Sequence, residues 1–224
     1  EALSAEVQVE GDVDEFLAAA PGVVAECAGH GAVAELGTRI LETGADLIVA
    51  SVGALADVAR LDALKEAARR GGGQLIVPSG AIGGIDALSA ARLSGLTSVR
   101  YTGRKPPAAW AGTLAEEVGD LARMDTPTTI FTGSARAAAQ AFPKNANVAA
   151  TLALAGLGMD ETEVTLVADP TTAENVHEFS ISSPAVEASV RLVGKPSPRN
   201  PKTSQTTVLS IARAVLNRDS AIVV

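Results

Sequence analysis

Apolar and polar positions change rhythm along this chain, and the change divides it. From Gly22 to Pro78, short unbroken apolar runs alternate with segments whose apolar residues recur every three or four positions. The runs 22–28, 45–52 and 74–78 read as strands, because strands covered on both faces lose strict alternation. Segments 32–42 and 57–70 carry the helical period. Gly44 stands where the first helix would end. Asp57 can cap the second, Lys65, Arg69 and Arg70 suit its C-terminal dipole, and Gly71 follows. Upstream, Val7–Val9 reads as a strand end, and Asp12-x-x-Glu15 as a capping box opening a helix to Ala20. Strand–helix–strand–helix–strand implies a parallel sheet with right-handed crossovers.

Beyond Ser79-Gly-Ala-Ile-Gly-Gly84 the rhythm is different. Asp86–Leu93 predicts a short helix, and Thr97–Gly103 and Thr128–Thr132 predict strands. Pro143–Gly158 reads as one helix lined with Ala and Leu, with Pro143 in its first turn. Glu163–Ala168, Val176–Ile181 and Glu187–Val193 follow as strands. The three prolines of Lys195–Ser204 predict a loop, and Thr203–Asn217 a final amphipathic helix. The expected fold is α/β: a Rossmann-like parallel-sheet domain joined to an α+β domain with a mixed or antiparallel sheet. Residues 1–80 and 203–224 are expected to form the first domain, and 81–202 the second.

Charge narrows the function. A net charge of −8 and a pI near 4.8 suit neither nucleic acid nor an anionic membrane, which need a basic footprint. One cysteine, Cys27, cannot form an internal disulfide, and with only two histidines a metal site is not expected. No apolar run approaches the roughly 20 residues that span a bilayer. The polar, acidic opening segment does not read as a signal peptide. A cytoplasmic globular protein acting on small molecules is expected.

One motif invites a wrong reading. Gly29-His-Gly-Ala-Val-Ala34 matches the glycine-rich turn that cradles a pyrophosphate at a helix N-terminus. That turn needs an acid at the end of the next strand for the ribose hydroxyls. The next strand ends at Ser51-Val-Gly53 without one. A plain strand-to-helix turn is the better reading.

Other motifs are more specific. Glu26-Cys-Ala-Gly-His30, Ser51-Val-Gly-Ala-Leu55, Ser79-Gly-Ala-Ile-Gly83 and Tyr101-Thr-Gly-Arg-Lys-Pro106 occur in that order. Gly133-Ser-Ala-Arg136, Phe142-Pro-Lys-Asn-Ala-Asn147, Asp169-Pro170, Asn175-x-His177-Glu178 and Asn200-Pro-Lys-Thr-Ser204 follow. From about Val23 to Asn217 the chain resembles the L-aspartate dehydrogenase family, which oxidises aspartate to iminoaspartate with NAD or NADP in NAD biosynthesis. In that family the nucleotide-binding domain opens with a strand, a glycine-rich turn and a helix. The resemblance implies that this chain starts after them, so that Gly29–Ala34 follows the fourth strand.

The resemblance assigns His177 as the catalytic acid/base and Ala81 and Asn147 as NAD contacts. Read from sequence alone, His177 is either such a group or a hydrogen-bonded strand histidine. By period-two alternation it shares a face with Asn175 and not with Glu178. Asn147 could equally satisfy local backbone, and Ala81 could sit in a plain turn. Aspartate carries two carboxylates, so an acidic protein needs local cations to hold it. Lys144 is the first candidate. Lys202 and Thr203, at the expected start of the last helix, come second, with Ser79 as a hydroxyl donor. Arg104 and Lys105 are expected to face solvent or a partner subunit. His30 reads as a helix-start residue or a nicotinamide-side contact, Cys27 as a small buried residue, and Trp110 and Met124 as packing. A homodimer through the second sheet is expected. Two rivals stand: a related two-domain oxidoreductase of homoserine dehydrogenase or dihydrodipicolinate reductase type, and a non-catalytic nucleotide-binding module.

Overall fold

A computed structural model describes residues 7–143, 145–198 and 200–223, without the side chains of 200–202. Two sheets organise it. The first is parallel, in the order β1 (Val23–Glu26), β2 (Asp46–Val49), β3 (Leu75–Ile76). Every residue of β2 is buried, which is why its sequence is an unbroken apolar run after Asp46. Helix α1 (Val13–Ala18) precedes β1. Asp12 caps it, its carboxylate accepting the N–H groups of Asp14 and Glu15. Glu15 does not reach back, because Glu10 takes the Asp12 N–H. Residues 7–9 form no strand.

Helices α2 (His30–Glu42) and α3 (Val58–Gly71) cross between the strands and pack on each other. The cap expected at Asp57 is present: its carboxylate accepts the Arg60 N–H at 2.9 Å. The close approach of the two helices depends on Gly71. A Cβ there would stand 1.9 Å from the Leu41 carbonyl oxygen, backbone against backbone. Gly71→Ala should therefore destabilise the protein by about 3 kcal/mol, the upper end for overpacking. A urea midpoint equal to wild type would contradict this packing.

The second sheet is mixed, in the order β5 (Thr128–Ser134), β6 (Glu163–Ala168), β4 (Ser98–Lys105), β7 (Asn175–Ser182), β8 (Glu187–Gly194). Strands β4 and β6 run parallel and the other pairs antiparallel. Its inner face, with Val99, Tyr101, Val164, Leu166, Phe179 and Ile181, is buried in the core beside α4 (Ile85–Arg92), α5 (Ala135–Ala141) and α6 (Asn147–Ala155). Its outer face is polar. Arg100 pairs with Glu163 at 3.0 Å, and Glu178 receives both Arg104 at 3.2 Å and Arg191 at 3.0 Å.

Three expectations are corrected. The single helix over 143–158 is α6 alone, and α5 ends before Pro143. Phe142 breaks the path, at φ −130°, ψ 59°, by turning its ring inward against Trp110 and Phe131. The loop over 195–204 contains a short antiparallel pair, β9 (Pro196–Ser197) with β10 (Asn200–Ser204). The last helix, α7 (Gln205–Leu216), starts later than expected, so Lys202 and Thr203 lie on β10. Helix α7 returns to β1 and β2, where Ser210 Oγ accepts the Gly80 N–H at 3.0 Å and Arg218 pairs with Asp46.

A 3-10 turn over Val52–Ala56, between β2 and α3, is where the first part packs against α5 and α6 of the second, and all five residues are buried. Asn147 Oδ1, at the start of α6, accepts the Gly53 N–H at 2.9 Å. Arg136 of α5 donates to the Ala56 carbonyl while holding Asp160 through two further bonds. Arg60 donates to the Ala54 carbonyl at 2.8 Å.

Candidate active site

A cleft of about 120 Å³ opens where the carboxyl ends of β2 and β3 meet the end of β4 and the start of β7 in the second sheet. Ligands of open parallel sheets bind at such ends. The first sheet contributes Ala50, Val52 and the turn Ser79–Ala81, the second sheet Lys105, Asn175 and His177. Asn145, Asn147, Val148 and Thr151 come from the start of α6 and the turn before it, and Thr203, Ser204 and Thr207 from the end of β10 and the first turn of α7. A larger groove of about 650 Å³ lies beside α3, α4 and α6, but its cations are engaged. Arg136 holds Asp160, Lys65 holds Asp62 and Arg92 donates to the Leu154 carbonyl.

His177 is buried, 4% exposed, on the inner face of β7. Burial pushes its pKa down to about 4, and the nearby Lys105 ammonium adds to the fall. The ring is neutral at pH 7. Its Nδ1 lies 2.8 Å from the Tyr101 hydroxyl of β4. Burial pushes the Tyr101 pKa upward, so the hydroxyl keeps its proton. The hydroxyl fits because Gly103 lacks a side chain; a Cβ there would stand 2.6 Å from it. A hydroxyl both donates and accepts. With Tyr101 donating to Nδ1, Nε2 carries a proton. With Nδ1–H donating to Tyr101, Nε2 is a free base. One contact holds the ring in either tautomer.

Most of the residues singled out by sequence come together. Ser79, Ala81, Asn147, His177 and Thr203 all line the cleft. Lys144 lies outside the described residues, as does the side chain of Lys202. Asn175 and His177 share the cleft, while Glu178 faces the opposite way to its arginines. His30 opens α2 and lies against Asn147 and Gly53; its pKa is lowered by burial and then by Arg60. Cys27 corrects an expectation: β1 stops at Glu26, and the thiol is exposed.

The glycine-rich turn is closed to a pyrophosphate for a physical reason. The Glu26 carboxylate already accepts the N–H groups of Ala28 and Gly29, both at 2.7 Å, and the Ser51 N–H at 3.0 Å. An internal anion occupies the place a phosphate would need.

Lys105 was not expected here. Period two carries Val99, Tyr101, Gly103 and Lys105 to the same face of β4, and all four are buried. Extending the alternation of 97–103 by two residues would have found it.

Comparison with known proteins adds an independent observation. A family model described as "Aspartate dehydrogenase, C-terminal" matches residues 86–218, more than half of the chain. One described as "Homoserine dehydrogenase, NAD binding domain" matches residues 1–78. An L-aspartate dehydrogenase of Polaromonas sp. is 54% identical over 94% of this chain and 79% of its own length. The chain belongs to the L-aspartate dehydrogenase family. An L-aspartate dehydrogenase of Pseudomonas aeruginosa is 52% identical over 90% of this chain and 76% of its own. The crystal structure of aspartate dehydrogenase from Thermotoga maritima superposes with a TM-score of 0.76 at 31% identity, covering 99% of this chain and 82% of that one. Family membership makes the chain an oxidoreductase with an NAD-binding, Rossmann-like part and a C-terminal part built on a mixed sheet.

The cleft fits a nicotinamide cofactor. Gly80 and Ala81 present almost no side chain, and a Cβ on Gly80 would meet nothing within 4 Å. Asn147 Oδ1 accepts the Gly53 N–H and its amide also bonds His30, which fixes this side chain in the lining of the cleft.

Proposed function

We propose that this member of the family oxidises L-aspartate to iminoaspartate, which feeds NAD biosynthesis or hydrolyses to oxaloacetate and ammonia. His177 serves as acid/base, Ala81 and Asn147 hold the cofactor, NAD or NADP, and Ser79 and Thr203 help seat the substrate. Lys144 and Lys202 remain candidates for the substrate carboxylates. The observation that carries the reading is a buried, neutral imidazole in the same cleft as a small-residue turn at the end of a parallel sheet.

When bound, the nicotinamide accepts the hydride that leaves Cα of aspartate. The chain supplies geometry and proton handling. The substrate ammonium must lose a proton before its nitrogen can form an imine, and Nε2 of His177 accepts it in the tautomer that donates Nδ1–H to Tyr101. A pKa near 4 makes the free ring a weak base. Two substrate carboxylates beside it favour the imidazolium, so arrival of the substrate strengthens the base. In the reverse direction the same nitrogen returns the proton to the amine.

Residues 1–80 with 203–224 act as the dinucleotide-binding domain and 81–202 as the catalytic domain; the return of α7 to β1 and β2 supports this division. The same reading makes the protein a cytoplasmic homodimer joined through the outer face of the second sheet. Sedimentation tests that pairing.

Absorbance of reduced nicotinamide tests the function directly. Turnover is expected with L-aspartate, in reverse from oxaloacetate and ammonia, and not with homoserine or glutamate. Turnover of homoserine without aspartate would overturn the reading. Cofactor binding without any turnover would favour a non-catalytic module.

A further inference from the structure

The end of β4 presents a cation that the fold leaves without an anion. Lys105 is 9% exposed. Lysines ordinarily extend their ammonium to water, and burying one without a partner is costly. Here the ammonium donates to the Asn145 amide oxygen at 2.8 Å and lies 5.2 Å from the centre of the Trp110 ring. Both partners are neutral. The neighbouring carboxylate, Asp169, is directed elsewhere: it accepts from the hydroxyl and N–H of Thr171 and lies 3.8 Å from Arg104. An ammonium has three protons, and these partners leave one for the cleft that Lys105 lines with His177.

We propose that Lys105 anchors a carboxylate of the dicarboxylate substrate, which supplies the counter-ion that the protein withholds. The proposal rests on the reading of this cleft as the aspartate site. It adds a proton linkage to that reading. Burial holds the free ammonium's pKa down to about 8. A bound carboxylate stabilises the charged form and raises that value. Through Lys105, binding therefore takes up a proton above about pH 8, where the free lysine is neutral, and none well below it, where the lysine is already charged. The charged and titratable groups facing Lys105 do not compete in that window. His177, from β7, titrates near 4. Asp169, after β6, is held below its usual range, first by the Thr171 hydroxyl. Tyr101 lies behind His177 with its pKa raised. The other described side chains around it in the cleft, Asn145, Asn175 and Thr203, do not ionise.

Calorimetric titration of the whole chain with succinate, with NAD⁺ present, tests this. Succinate keeps both carboxylates and lacks the amine. Isotherms in buffers of different ionisation enthalpy give proton uptake. Wild type is expected to take up a proton at pH 9, where His177 stays neutral in the free and bound states. Lys105→Met should lose the uptake and weaken succinate binding by about 10- to 100-fold, the worth of a charge-assisted bond. Lys105→Arg cannot deprotonate, so it should bind at pH 9 without uptake. Uptake that persists in Lys105→Arg overturns the proposal, and that comparison stands even if Lys105→Met does not fold. Unchanged affinity in Lys105→Met also overturns it. Aspartate oxidation by the same wild-type preparation tests the underlying reading separately. If wild type oxidises aspartate but binds no succinate, the anchor falls and the reaction stands.

Discussion

His177→Ala should lower kcat for L-aspartate oxidation by about 10²- to 10⁴-fold, the range for removing a positioned acid/base. The ring is the only titratable group of the cleft, Lys105 aside, among the described residues. Alanine removes the proton acceptor and leaves the Tyr101 hydroxyl facing the space where Nδ1 was. Nicotinamide binding should barely change, because Gly80, Ala81 and Asn147 stand on other elements. Steady-state kinetics together with a fluorescence titration of NADH separate the two effects. An unchanged kcat would remove His177 from the mechanism. Loss of cofactor binding would turn it into a structural residue.

Trp110→Ala should destabilise the protein by about 3–5 kcal/mol, the usual result for deleting a fully buried large aromatic. Against a typical total stability of about 5–15 kcal/mol, much of the population would unfold on mild heating. The indole is fully buried and donates to the Val167 carbonyl at 3.2 Å. It meets Phe142 edge-on at 5.8 Å, and Phe142 meets Phe131 at 5.7 Å. These rings fasten the segment after β4 to the break between α5 and α6. Denaturation followed by circular dichroism reads the effect without the lost fluorophore. A midpoint equal to wild type would show that the ring cluster carries no weight.

Local chemistry made much of this fold legible. The α3 cap at Asp57, the strand 163–168 and the faces of β7 follow from signals within a few residues of each other. The misreadings come from contacts distant in sequence. No helix is read over 135–141, and Pro143, suited to a first turn, places the start of the next helix four residues early. The break is set by Phe142 finding Trp110, more than thirty residues away. The prolines of 195–204 announce a loop, and the short pairing of β9 with β10 survives around them. At the site, His177, Ala81 and Asn147 were reached through a resemblance that geometry now gathers into one cleft. Lys105 was passed over because a lysine before two prolines looks like surface. Its burial depends on Trp110 and Asn145, which the sequence places five and forty positions downstream.

The turn over 52–56 has a consequence for how catalysis is timed. Enzymes of two parts often align their reactants by swinging closed on a few exposed linker residues. Here the chain crosses between the parts near residues 80 and 203, while the seam is the turn 52–56, buried along its whole length and bonded at Gly53 by one helix and at Ala56 by another. Widening the cleft would break these bonds, so the distance from the cofactor's seat to His177 is tied to the integrity of this seam.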